Sequence, residues 1–152
     1  MKQIIIRQYQ DIIDNAAKHV KGLSMPKEGW IRTMRKALGM SGAQLARRLN
    51  VTRSQVSQSE KNELSGVITF NTLENMAEAM GCRIVYTIVP ETTVRDLVSR
   101  RARKRAVQLV NKTNIHMALE SQMLDKDKRA FEVERIQQEF ITEMPSDLWN
   151  DE

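Results

Sequence analysis

The segment from Ser41 to Asn62 most constrains the fold, because it predicts two short helices joined by a three-residue turn. Ser41 and Thr52 each precede a helical pattern, where a hydroxyl accepts a backbone N–H that would otherwise lack a partner. Asn50 can adopt the left-handed conformation that such turns often require. The apolar residues recur at the spacing that packs two helices together, namely Leu45, Ala46, Leu49, Val51 and Val56. The outward side of the second helix is polar.

Helical patterns also precede this segment. Apolar residues recur every three or four positions in residues 1–22, which predicts an amphipathic helix. The run Ile4–Ile6 is β-branched and could instead form a short strand. A linker punctuated by glycine and proline follows, and four helices are expected between residues 30 and 80.

The run Arg83–Val89 is dense in β-branched and aromatic residues and is closed by Pro90, which predicts a strand. No second convincing strand lies nearby, so the simplest way to satisfy its edge is pairing with its own copy across a two-fold axis. We therefore expect a homodimer. The residues predicted to form its contact are Ile84, Val85, Tyr86, Thr87 and Ile88.

Residues 93–124 contain neither proline nor glycine, which predicts one long helix, or two helices broken around Asn111–Asn114. A further helix is expected over 127–141. The same region holds the densest basic cluster, from Arg95 to Arg105, with Asp96 as its single acid. This cluster either contacts phosphates or forms a solvated helix face.

Composition excludes several classes of protein. No apolar run approaches the roughly 20 residues of a membrane span, and the first residues lack the apolar region of a secretion signal, so we expect a cytoplasmic protein. Cys82, His19 and His116 are the only cysteine and histidines, so we expect no disulfide, metal site or cofactor. We expect no enzyme, because scattered histidines and carboxylates offer no acid, base or nucleophile constellation. The net charge of +5 modestly favours a polyanionic partner.

From about Trp30 to Asn62 the chain resembles, without a gap, the Cro/repressor-type helix-turn-helix family, also called the XRE family. The resemblance rests on the stretch S-G-A-Q-L-A-R-R-L-N-V-T-R-S-Q-V-S-Q-S-E-K-N. In that family the second helix lies in the major groove of DNA and the preceding helix crosses the backbone. Carried over by position, the resemblance implies base contacts from Arg53, Ser54, Ser57 and Gln58. Arg can bond guanine at O6 and N7, and Gln can bond adenine at N6 and N7.

The expected phosphate contacts come from helix N-termini, which favour anions, and from neighbouring cations. They are Arg35, Ser41, Gly42, Thr52 and Lys61. The resemblance also implies an ion pair between Arg35 and Glu60. Two positions depart from the family: Glu63 stands where relatives often carry a basic residue, and Gly42 replaces a polar side chain.

The whole layout resembles the bacterial family called mobile mystery protein A. The matching motifs are P-x-x-G-W, G-C-R-I-V-Y-T-I-V-P, H-M-A-L-E-S-Q and a C-terminal L-W. This resemblance implies an antitoxin-type regulator associated with a partner that has a Fic domain. Ser24–Gly29 also matches the S/T-x-x-x-E-G/N motif of some Fic antitoxins, but Pro26 opposes a helix there, which favours a linker.

The predicted fold class is mainly α: a five-helix-type helix-turn-helix DNA-binding core with N- and C-terminal helical extensions and one strand at 83–89, paired across a dimer. The predicted domains are an N-terminal helix at 1–22, the helix-turn-helix domain at 29–81, a dimerisation strand at 82–90 and a C-terminal helical region at 93–152. The predicted function is a dimeric, sequence-specific transcriptional repressor of its own operon, bound to a palindromic operator in double-stranded DNA. The alternative is an antitoxin that neutralises a co-encoded Fic-type toxin.

Overall fold

The computed structural model describes residues 1–119 and 125–151, and within these ranges all regular secondary structure is helical. The helices are α1 (Lys2–Val20), α2 (Trp30–Ala37), α3 (Gly42–Leu49), α4 (Arg53–Ser65), α5 (Phe70–Ala79), α6 (Val94–Leu119) and α7 (Lys126–Glu143). None of the described helices is both long and apolar enough to cross a membrane. The prediction of a mainly α fold is confirmed, whereas the prediction of a five-helix-type core is wrong, because residues 22–87 contain the four helices α2 to α5.

The chain forms two compact units. The central unit is Gly22–Thr87 and contains α2 to α5. The terminal unit combines Met1–Lys21 with Ile88–Glu152, and thus contains α1, α6 and α7.

Two alternatives left open by the sequence are resolved. Ile4–Ile6 belongs to α1, so the alternative of a short strand there is wrong. Helix α6 continues through Asn111–Asn114 without a break, which confirms the single long helix as far as Leu119. The predicted end of that helix near Leu124, and part of the motif at 116–122, lie outside the described residues.

The predicted strand at 83–89 is wrong for the single chain. Arg83–Val89 forms neither helix nor strand, and none of its backbone groups bonds to another backbone group in the described part of the chain. A strand persists only where a neighbour completes its ladder of hydrogen bonds, and the described residues offer no such neighbour. The side chains of Val85, Tyr86 and Ile88 are 77%, 74% and 82% exposed. A segment with high strand propensity therefore does not form a strand when no neighbouring strand pairs with it.

The core of the central unit is formed by one side of each of its helices. The buried residues are Ile31, Leu45, Ala46, Val56, Met76 and Met80. Ala46 is small at the point where α3 and α4 pack together, and Leu45 and Val56 have almost no exposed surface. The spacing in the sequence thus correctly identified the inner sides of both helices.

In the terminal unit, α6 packs along α7. Buried residues of α6 recur every four positions, including Ala102, Ala106 and Val110. Ala106 and Val110 form one cluster with Val133 and Ile136 of α7. Small side chains on α6 let the two helices approach closely. Helix α1 is anchored to the same unit, since Lys2 Nζ donates to the Met144 carbonyl at 3.0 Å and Gln3 Nε2 donates to the Thr142 carbonyl at 2.9 Å.

The segment after α7 is held on α6 by part of the basic cluster. Arg101 donates from Nε to the Leu148 carbonyl and from Nη2 to the Asn150 carbonyl, both at 2.6 Å. Its guanidinium also lies 5.9 Å from the centroid of the Trp149 ring. Arg105 forms an ion pair of 3.7 Å with Asp147. Two cations of the cluster therefore stabilise the fold, a role that composition alone did not reveal.

Leu148→Ala should destabilise the chain by about 2–5 kcal/mol, because this side chain is 2% exposed and its removal leaves a cavity. The neighbouring Trp149→Ala is the control. Trp149 is larger but 55% exposed, and it loses a cation–π contact worth on the order of 1 kcal/mol. Urea unfolding measures both losses. A larger loss for Trp149→Ala would contradict the burial of Leu148.

Candidate nucleic-acid interface

The starts of α3 and α4 are fixed by reciprocal capping. Ser41 Oγ accepts from the Gln44 N–H at 3.1 Å, while Gln44 Oε1 accepts from the Ser41 N–H at 2.7 Å. Thr52 Oγ1 and the Thr52 N–H exchange the same two bonds with Gln55, at 3.2 and 2.8 Å. The predicted caps are confirmed. The two glutamines were missed, although the spacings S-x-x-Q and T-x-x-Q indicate such pairs.

The turn between these helices has a defined conformation. Asn50 is left-handed, with φ 55° and ψ 45°, as the sequence predicted. Its N–H donates to the Arg47 carbonyl, and the Val51 N–H donates to the Ala46 carbonyl at 2.9 Å. Val51 is itself 39% exposed. Backbone hydrogen bonds, more than burial of Val51, therefore set the direction in which α4 leaves α3.

The outward side of α4 collects three of the four predicted base-reading residues and one predicted phosphate contact. Ser54, Ser57, Gln58 and Lys61 are exposed, and Ser57 and Gln58 each lie three or four positions from both Ser54 and Lys61, which places all four on one side of the helix. Gln58 Nε2 donates to Asn62 Oδ1 at 2.9 Å, a contact that the sequence did not predict. The structure thus presents two hydroxyls, an amide and an ammonium together.

Arg53 lies at the margin of that side. It is the first residue of α4, and a Cβ atom added to Gly42 would lie 3.9 Å from Arg53 Cγ. The Arg53 stem therefore passes close to the start of α3. A side chain at position 42 would contact this stem. The glycine that stands here in place of the family's polar residue therefore leaves space beside Arg53.

The ion pair implied by the resemblance is present in the central unit. Arg35 donates from Nε to Glu60 Oε1 at 2.7 Å and from Nη2 to Glu60 Oε2 at 3.2 Å. Its Nη1 donates to the Met40 carbonyl at 2.9 Å. The two side chains are only 13% and 11% exposed. This two-pronged geometry ties α2 to α4 and leaves few Arg35 N–H groups for any other acceptor.

Glu63 departs from the family pattern because it caps another helix. Its Oε1 accepts from the Trp30 N–H at 2.6 Å, and its Oε2 accepts from the Ile31 N–H at 3.0 Å. A carboxylate at this end of α2 also meets the positive end of the helix dipole. Glu63 is buried. No local pattern in the sequence indicates this contact, because the two partners lie more than 30 positions apart.

The close approach of Glu63 explains Gly29 in the P-x-x-G-W motif. Gly29 precedes α2 with φ 81° and ψ 165°, a conformation that is essentially restricted to glycine. A Cβ atom at this position would lie 2.9 Å from Glu63 Oε2. Gly29 thus supplies both the backbone angle and the space that the capping carboxylate needs.

Most of the net positive charge of the protein lies in the central unit. Gly22–Thr87 carries nine Lys and Arg residues against five Asp and Glu residues. Two of those acids, Glu60 and Glu63, are buried in the contacts just described. The unit that presents the polar side of α4 therefore presents an excess of positive charge to solvent, which attracts polyanions. No three metal-ligating side chains of the described residues lie together.

These features define a helix-turn-helix unit, and comparison with known families agrees. Residues 31–86 match the family model described as helix-turn-helix. The chain therefore carries an XRE-type helix-turn-helix domain in this region, a kind of domain that suggests DNA binding and transcriptional regulation. No curated protein and no solved structure matches the chain. The resemblance to the mobile mystery protein A family stays a prediction.

Gly29→Ala should destabilise the chain more than Gly22→Ala does. Both glycines have φ 81°, but an added Cβ at Gly22 meets nothing within 4 Å. Gly22→Ala should cost roughly 1–2 kcal/mol from backbone strain alone. Gly29→Ala should cost about 1.5–3 kcal/mol more, because the Glu63 carboxylate must retreat from the N–H groups that it caps.

Thermal or urea unfolding of the two variants measures this difference. In the Glu63→Ala background the extra loss at Gly29 should become smaller, because only the backbone strain of that conformation then remains. Equal losses at the two glycines in the parent chain would show that the approach of Glu63 is not tight.

Proposed function

We propose that the protein is a dimeric, sequence-specific DNA-binding regulator that represses its own operon from a palindromic operator. The observation that carries this proposal is the outward side of α4, where polar and mostly uncharged side chains stand on a rigidly capped helix. A merely solvated helix would more often carry Glu and Lys pairs. The helix-turn-helix domain supplies the frame in which such a side enters the major groove.

In this proposal Arg53, Ser54, Ser57 and Gln58 read base edges. Each two-pronged contact by Arg53 or Gln58 would discriminate between bases by about 1–3 kcal/mol. Gln58 already bonds Asn62, so its amide is held in one orientation before any contact. A restricted side chain loses less conformational entropy when it binds.

The phosphate contacts are assigned to the helix starts and to nearby cations. Ser41, Gly42 and Thr52 stand at the positive ends of α3 and α4, which favour phosphate, although the Ser41 and Thr52 N–H groups themselves already donate to Gln44 and Gln55. Lys61 lies exposed on the outward side of α4. Arg35 is assigned a subordinate role, because Glu60 and Met40 already occupy its guanidinium. These contacts would set the register of the protein on DNA, not its sequence preference.

Binding-site selection from random duplexes tests the base-reading assignment. Arg53→Ala and Gln58→Ala should each abolish preference at particular positions of the selected site, because each variant removes one pair of base contacts. The matched control is Gln138→Ala, an exposed glutamine of α7 that should leave the preference unchanged.

Uniform weakening with unchanged preference in both variants would refute the base-reading roles while leaving DNA binding intact. A parent chain that selects no sequence would refute the proposed function itself. The salt dependence of binding should be measured alongside, since the phosphate contacts determine its slope.

The dimer contact is proposed for Ile84, Val85, Tyr86, Thr87 and Ile88. The backbone of this segment has free hydrogen-bonding capacity, and its apolar side chains are largely exposed. The ring of Tyr86 packs edge-on against Phe70 at a centroid distance of 5.0 Å, which fixes the segment against the start of α5. A two-fold pair of these segments would complete each other's ladders and form the strand that one chain lacks.

Proline substitution tests this contact with little cost to the single chain, because no backbone N–H of the segment bonds to the described backbone. In an antiparallel pair only every second backbone N–H points at the partner strand. Val85 and Ile88 differ in this alternation, so proline removes an inter-strand hydrogen bond at one of these positions and not at the other. One of them should strongly weaken dimerisation in sedimentation equilibrium, and the other serves as its control. Unchanged association in both variants would contradict the proposed pairing of residues 84–88 between two copies.

The role of an antitoxin for a Fic-type toxin rests on the family resemblance alone. Ser24–Gly29 contains no helix, and the Gly29 N–H closes a turn onto the Pro26 carbonyl at 3.0 Å. The six residues therefore form a linker and not the inhibitory helix that the motif would require. A Fic partner would have to bind elsewhere on the chain.

A further inference from the structure

We propose that α1 pairs with the α1 helix of a second copy of this chain along an exposed apolar stripe. The stripe, called the outer stripe below, consists of Ile5, Tyr9, Ile12 and Ala16. Ile5, Tyr9 and Ile12 are 47%, 66% and 62% exposed. Contiguous exposed apolar side chains on a protein surface mark interaction sites.

Helix α1 is amphipathic over a wider arc than its own chain covers. Ile6, Ile13 and Ala17 lie on an adjacent side and are half-buried, and Lys2 and Gln3 anchor the helix to the end of α7. No residue of α1 is fully buried. The packing of the terminal unit therefore accounts for one apolar side of α1 and leaves Ile5, Tyr9 and Ile12 of the outer stripe exposed, whereas Ala16 at its end is half-buried.

The spacing of the outer stripe matches a coiled-coil seam. Its residues follow one another at intervals of four, three and four positions, which is the a and d pattern of two heptads. A seam of period 3.5 is complementary to another seam of the same kind.

Charge favours a second copy as the occupant. The outer stripe contains no charged residue, and the residues that flank it toward solvent, Gln8 and Asn15, are uncharged. Two copies can therefore meet here without like-charge repulsion, although the chain as a whole carries a net charge of +5. Ala16 is small enough to let the two backbones approach at one end.

Two heptads are too short to hold two chains together strongly by themselves. The α1 contact therefore acts together with another self-contact, which raises the local concentration of the two seams. If both contacts share one two-fold axis, the result is a closed dimer. If they do not, two different two-fold contacts on one chain link more than two copies, and these close into a tetramer only when the two axes intersect at right angles.

The first test compares two variants that change the net charge equally on the same helix. The double variant Ile5→Glu with Ile12→Glu places charge in the outer stripe, whereas Lys18→Glu changes an exposed residue away from it. The double variant should lower the self-association constant by at least about tenfold, because desolvating an unpaired carboxylate is costly. Lys18→Glu should leave it unchanged. Because the stripe is exposed, both variants should keep the helical content of the parent chain.

Sedimentation equilibrium is run on the full chain and repeated in the Val85→Pro and Ile88→Pro backgrounds. A loss of association in the parent chain and in the proline variant that still associates supports a contribution from α1; the other proline variant should already associate too weakly for a further loss, because two heptads alone hold chains weakly. Association equal to that of the parent in the double variant would overturn the proposal, as would a parent chain that stays monomeric. Neither outcome depends on whether the protein binds DNA.

The second test is disulfide cross-linking in the Cys82→Ser background, which removes the one native thiol. Tyr9 lies near the middle of the outer stripe, so Tyr9→Cys meets its own copy in either helix orientation. Arg7→Cys is the control, because Arg7 is exposed on the opposite side of α1. Cross-linked dimer from Tyr9→Cys but not from Arg7→Cys supports the pairing. Equal yields, or none from either, would contradict it.

Discussion

The orientation of α4 depends on two buried carboxylates that both reach α2. Glu60 binds the Arg35 guanidinium, and Glu63 caps the first N–H groups of α2. Burying a carboxylate is costly unless its oxygens are fully engaged, so each acid stays in place only while α2 keeps its position. Nonpolar packing brings these helices together, and the two carboxylates add hydrogen bonds between α4 and α2 at two separate points. The side of α4 that faces solvent is consequently presented at a fixed angle.

The terminal unit uses charge in a different way. Of the cations between Arg95 and Arg105, Arg101 and Arg105 attach the last residues of the chain to α6, and both are largely covered. An arginine can donate to several carbonyl oxygens at once. It can therefore hold in place an irregular segment whose backbone is not hydrogen-bonded within a helix or sheet. A run of basic residues in a sequence is thus a mixture of structural and solvent-facing groups.

Local features of the fold could be predicted from the sequence, whereas contacts across long separations could not. The caps at Ser41 and Thr52, the left-handed Asn50 and the buried sides of α3 and α4 follow from patterns within a few residues. The reach of Glu63 to α2 follows from no local pattern. The strand at 83–89 was predicted from β-branched composition, but composition does not supply a partner. At the interface, the sequence identified the residue types on α4 but not the internal bond between Gln58 and Asn62.

The terminal unit is assembled from both ends of the described chain, and this has a consequence for synthesis on the ribosome. The contact between Gln3 and Thr142 spans 139 positions, and the whole central unit is made in between. At about 5–20 residues per second, α1 spends on the order of ten seconds outside the ribosome before α7 exists. During that interval the apolar residues of α1 are open to chaperones and to nascent neighbours translated from the same message. The central unit is one continuous stretch of sequence, so it can fold before α7 is available to pack with α1.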